Sequence, residues 1–188
     1  MIKIVHAFTM IFITSFLFSC VQVEPVKQSA KENIAISSVR DSEKLFPQGS
    51  TFSIEQKHAK ETSFTPEKMK EVYQLYQNTL LKNLESNGFV YKAGTTAVDF
   101  EVGFGLALSS DVSDESLSSK FGLTPGLAEQ NDLNKGSFIV FVTDPYSEKM
   151  IWRGAVQGFA HDQLSAAERA SRVQTIVNQV MTLYYQGK

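Results

Sequence analysis

The sequence predicts an α+β fold: a two-layer sandwich in which a mainly antiparallel sheet of about four strands carries two helices on one face. Three features predict it. Residues 97–108 alternate apolar and polar side chains with a period of two. Two other stretches repeat apolar residues every three or four positions behind readable helix caps. Residues 138–160 read as two strands joined by a turn.

The elements follow in order behind an amino-terminal segment of a different character. Lys3 and the apolar run Phe8–Phe18 have the charged start and short apolar stretch of a secretory signal. The run is shorter than the roughly 20 residues a membrane-crossing helix needs. It ends in Leu17-Phe18-Ser19-Cys20, the only cysteine in the chain. An intrachain disulfide and a thiolate metal cluster are therefore excluded. The tetrapeptide resembles the lipobox of bacterial lipoproteins, with bulkier Phe18 as its main departure. That resemblance implies cleavage before Cys20 and acyl chains on the cysteine; two or three chains make a durable anchor where one binds only marginally. Val21 is not the aspartate that tends to retain lipoproteins in the inner membrane, so the expected location is the outer membrane, facing the periplasm. This divides the chain into a signal peptide (1–19), a lipidated Cys20 with a flexible polar tether (20–48), and one periplasmic domain (49–188). Within the tether, 34–39 reads as a short edge strand.

The first strand of the domain is Thr51–Glu55, with Phe52 and Ile54 on one face. A helix then opens with Thr65 as N-cap, Pro66 at its first position and Glu67 in its first turn. Met69, Val72, Tyr73, Tyr76, Leu80 and Leu84 form its apolar stripe, and Asn87-Gly88 stops it. The strand Ala97–Leu108 follows. Residues 109–136, rich in Ser, Asp, Gly and Asn, form a long excursion. Phe138–Val142, the turn Asp144–Lys149 and the return strand Met150–Ala160 make a hairpin. A last helix opens with the capping box Ser165/Glu168 and carries Val173, Ile176, Val177, Val180 and Tyr184.

The hairpin residues Gly136–Asp144 and Lys149-Met150-Ile151-Trp152-Arg153-Gly154 resemble the lipoproteins grouped as domain of unknown function 4136, in which a glycine precedes an apolar strand, an aspartate opens the turn and Trp-Arg-Gly follows. Gly88-Phe89, Val98-Asp99-Phe100 and the capped last helix are similar to the family's other sections. The resemblance spans residues 50–186 and implies an α+β fold in the cell envelope. It carries no catalytic residues.

Composition narrows the function. At 43% hydrophobic and 20% charged the chain is globular in character, and a net charge of −2 gives no electrostatic reason to expect a nucleic-acid partner. Gly103-Phe104-Gly105 lies inside an alternating strand and lacks the third glycine of a dinucleotide fingerprint. The acidic groups Asp132/Asn134/Gly136 and Asp111/Asp114/Glu115 lack the terminal glutamate of a calcium loop. His58 and His161 have no paired spacing for zinc, and a hydrolase built on His161 would lack the Gly-x-Ser-x-Gly elbow. The expectation is a non-enzymatic protein with no cofactor or metal.

On the return strand, Trp152 reads as a core anchor, with Arg153 and Gln157 on the opposite face. Asp99 and Glu101 sit on the polar face of another strand. If the two strands are neighbours, Arg153, Asp99, Glu101 and Gln157 make a charge ladder or a recognition surface. Gly103, Gly105 and Ala107 leave that outer face flat, to be covered by the 109–136 excursion or by an envelope protein partner. The favoured expectation is a lipid-anchored module acting through protein contacts. The alternative is a carrier of a small ligand or lipid, with an apolar cavity between helices and sheet lined by Phe100, Phe104, Tyr73 and Tyr76. Composition leaves the oligomeric state open.

Overall fold

The computed structural model describes residues 33–57, 65–94, 97–110, 112–130, 133–160 and 164–187. The signal segment, Cys20, most of the tether and both histidines discussed above lie outside these residues. The elements are β1 (Ile34–Arg40), β2 (Thr51–Lys57), α1 (Pro66–Ser86), β3 (Val90–Tyr91), β4 (Phe100–Leu108), α2 (Asp114–Phe121), β5 (Lys135–Asp144), β6 (Lys149–Phe159) and α3 (Ala166–Tyr185).

The sheet corrects the expected architecture. It has six strands, in the order β1-β6-β5-β4-β2-β3, and it is mixed. β1/β6, β6/β5 and β5/β4 are antiparallel, whereas β2 runs parallel to both β4 and β3. The parallel pairing arises because α1 carries the chain back across the sheet between β2 and β4, and a helical crossover returns a strand in the same direction. The two extra strands lie at the edges. β1 takes the segment read as an edge strand within the tether and pairs along its whole length with β6, from Ile34↔Gly158 to Arg40↔Trp152. β3 is only two residues long and carries no periodicity. A third helix, α2, also departs from the expected two.

The two long helices follow their sequence signals. The Thr65 side chain accepts from the Lys68 N–H at 3.3 Å, with Pro66 opening α1. The Ser165/Glu168 capping box of α3 forms in full. Their apolar stripes meet each other and one face of the sheet. Phe52, Phe100, Val102, Phe104, Val140, Val142 and Trp152 are buried there against Tyr73, Leu80, Leu84, Val177, Val180 and Tyr184. Trp152 lies 5.2 Å from Tyr184, centroid to centroid. Gly154, next on the same face, is obligatory: an added Cβ would come within 2.6 Å of both the indole and Val180.

The opposite face of the sheet is covered by the excursion. α2 starts at a Ser113 cap and ends at Gly122, whose φ of 67° only glycine adopts without strain. It lays Leu117, with Leu123 beyond it, over Ile139 and Ala155, while Phe121 stacks on Phe141. The Phe141 ring lies across Gly103 of the neighbouring strand, filling the place of a missing side chain. Gly103→Val is thus an overpacking substitution, expected to cost about 1–3 kcal/mol and to lower the thermal midpoint by roughly 3–10 °C in a circular dichroism melt.

Candidate functional site

Where α1 and α3 begin, they stand apart over one end of the sheet and leave a half-open cavity of about 170 Å³. α1 contributes Lys68, Val72, Leu75 and Tyr76; α3 contributes Arg169, Arg172, Val173 and Ile176. The sheet supplies the end of β4 (Leu106–Leu108), the start of β5 (Gly136–Phe138) and the end of β6 (Val156, Gly158, Phe159).

The space has a simple origin. Gly136 and Gly158 are direct partners on β5 and β6, on the face turned toward the helices, so two adjacent side chains are missing. A Cβ on Gly136 would meet nothing closer than 3.7 Å. A Cβ on Gly158 would come within 3.1 Å of the Arg172 guanidinium, so this glycine lets Arg172 lie across the strand. Arg172 Nη2 donates to the Phe159 carbonyl at 3.1 Å, which fixes the group in place. Arg169 donates to Glu71 and to the Leu164 carbonyl, both at 3.2 Å. Tyr76 packs 4.7 Å from Phe138 and closes the inner wall. Desolvation pushes its hydroxyl pKa up to about 12, although the Arg172 charge pulls the other way.

Of the four aromatic residues expected to line a cavity, only Tyr76 does so. Phe100 is packed between Phe46 (4.6 Å) and Phe52 (5.6 Å), and Phe104 lies against Tyr73 at 5.6 Å. The Tyr73 hydroxyl donates to the Lys57 carbonyl and accepts from the Leu106 N–H, each at 3.1 Å.

The four polar candidates are not brought together. β5 separates β6 from β4, so Arg153 stands opposite Phe141 and, beyond it, Gly103. Its guanidinium pairs with Asp41 and lies beneath Gly122, at the carbonyl end of α2. Glu101 is exposed, opposite Thr143. Asp99 accepts from the Thr51 N–H at 2.6 Å and the Thr51 hydroxyl at 2.8 Å, tying β2 to the approach of β4. Gln157 shares Arg153's face but is fully buried under the excursion. It donates to Asp114 at 2.6 Å and accepts from the Leu127 N–H at 3.0 Å. Lys135, which the sequence did not single out, completes this polar knot with an ion pair to Asp114 at 2.6 Å.

The bonds from the Thr51 backbone and then from its side chain hold the Asp99 carboxyl below the ordinary carboxylate range. Its contribution to stability is present above the unfolded value of about 3.9 and is lost as pH falls through the depressed folded value. The acid limb of a stability–pH profile is therefore expected to be shallower for Asp99→Asn than for the parent. Identical limbs would show that the bonds to Thr51 carry no linkage.

Among the described residues, no group of three or more His, Cys, Asp or Glu is placed to hold a metal ion, and no helix is long and apolar enough to cross a membrane.

The family model described as Domain of unknown function (DUF4136) matches residues 36–184. A search of curated proteins finds no match. Among solved structures, a DUF4136 family protein from Bacteroides thetaiotaomicron superposes with a TM-score of 0.50 at 15% identity, over 81% of this chain and 96% of that one. A PDZ domain protein from Parabacteroides distasonis also gives 0.50, at 9% identity, over 81% of this chain and 36% of that one. The PelC dodecamer from Paraburkholderia phytofirmans aligns at 0.46 and 9% identity, over 79% of this chain and 95% of that one.

Proposed function

This chain belongs to the DUF4136 family, and we propose that it is a lipid-anchored, non-catalytic binding protein of the bacterial envelope, which holds a small apolar ligand between its helices and sheet. The cavity floored by Gly136 and Gly158 carries this reading. It is lined mainly by apolar side chains, and its size is close to the ~150 Å³ engineered cavity, lined by Leu, Ile and Phe, that takes up benzene. Acyl chains on Cys20 would hold the protein to the outer membrane with its domain in the periplasm, supported by the lipobox-like Leu17–Cys20. α2 and its flanking residues occupy the outer sheet face, so the protein-contact reading would act through the excursion itself.

Two experiments test the proposal. Labelled palmitate is expected to enter the protein in cells and to be absent from Cys20→Ser, which should leave the membrane fraction; a labelled or membrane-retained variant would refute the anchor. Octanol at ten times its dissociation constant is expected to raise the melting temperature by roughly 3–6 °C. Gly136→Val, a strand-compatible change that fills the cavity, should itself melt no lower and should abolish that shift. A shift that survives Gly136→Val would place the ligand elsewhere.

A further inference from the structure

We infer that the ligand of this cavity is a single-chain carboxylate of about six to eight carbons, its chain between α1 and α3 and its head group held by Arg172 and Lys68. The inference rests on the cavity reading above and adds the chemistry of the head group. Among the described residues, three cations line the space, Lys68, Arg169 and Arg172, and no carboxylate does. Arg169 is committed to Glu71 and a backbone carbonyl. Arg172 spends one Nη2 bond on Phe159, which orients the rest of its planar fork. Lys68 is exposed on the first turn of α1. Both helices present their amino-terminal halves at this end, so the peptide dipoles add positive potential to that of the side chains. Apolar walls beneath a net positive rim fit a molecule with a hydrocarbon body and one anionic end. The volume admits one short chain and is too small for a diacyl lipid.

The test uses the mature chain, residues 20–188, carrying Cys20→Ser to remove the acyl site. Titration calorimetry with octanoate, hexanoate, octanol and octylamine separates the contributions, since all stay monomeric at working concentration. Octanoate is expected to bind about tenfold tighter than octanol. It should also bind roughly fifteenfold tighter than hexanoate, at about fourfold per methylene. Octylamine should be the weakest eight-carbon ligand. Arg172→Gln and Lys68→Gln should each weaken octanoate several-fold more than octanol, with Arg172→Lys restoring part of the loss. Thermal melts of each variant establish that it is folded. Octanol binding as tightly as octanoate would overturn the head-group assignment while leaving the cavity reading intact. If neither ligand binds the parent chain, the cavity reading itself fails.

Discussion

Trp152→Ala is expected to remove about 4 kcal/mol of stability, the largest loss from any single truncation in this domain. The indole is almost wholly buried and lies between β6 and α3, against Tyr184 and within 2.6 Å of where a Gly154 side chain would begin. Truncation leaves a void that the neighbours cannot close. Gly154 has nothing to move into it, and Tyr184 is held from the far side by Arg40, which lies 5.5 Å over its ring and donates to its carbonyl at 2.7 Å. For a domain of this size the loss corresponds to a fall in melting temperature of roughly 10 °C, and in urea it should appear as a shifted midpoint with unchanged slope. A second substitution separates packing from hydrophobicity. Gly154→Ala alone collides with the indole, and in a Trp152→Phe background part of the collision is gone, so the two changes should be less than additive. A loss below 2 kcal/mol for Trp152→Ala would show that α3 is held by something other than this ring.

Asp114→Ala should be the costliest change on the other face, about 3 kcal/mol. The Lys135 ammonium, with 3% of its side chain exposed, has Asp114 as its partner at 2.6 Å, and without it retains, among the described residues, the Leu127 carbonyl at 3.4 Å. Gln157, fully buried, loses an acceptor at the same time. Removing one member of a buried pair leaves a charge without compensation, whereas removing both costs far less. Adding Lys135→Met to Asp114→Ala is therefore expected to recover more than half of the loss. Because Asp114 opens α2, hydrogen exchange should quicken first in α2 and the residues after it, with α1 and α3 still protected. Uniform loss of protection across all three helices would contradict a local latch.

How much of this was legible in the sequence depended on the range over which each signal acts. α1 and α3 were legible because Thr65 with Pro66, and Ser165 with Glu168, are local devices, and their stripes repeat within a few turns. β4, β5 and β6 were legible for the same reason. The parallel partnership of β2 and β4 was not, because the residues that alternate in a strand do not say which neighbour they face. α2 was missed because eight residues reading DESLSSKF carry a single buried apolar side chain, Leu117, and no stripe. Arg153 and Gln157 were placed on the right face of β6. Of the two coverings expected for that face, the structure has the excursion, as α2 and its flanks. Asp41, which pairs with Arg153, lies 112 residues away. The cavity was beyond local reading altogether: it exists because two glycines 22 positions apart fall into register across a hairpin.

The pairing of Ile34 with Gly158 has a consequence for geography. It brings the chain into the folded body at the same end of the sheet as the vacant floor beneath Arg172. From Cys20 to residue 33 the polypeptide reaches at most about 45 Å when fully drawn out. With its first cysteine acylated, the protein would therefore ride with its opening kept within a few nanometres of the bilayer, on a leash attached beside it. On the proposed reading, a short fatty acid leaving that bilayer would reach the cavity before it reached open solvent.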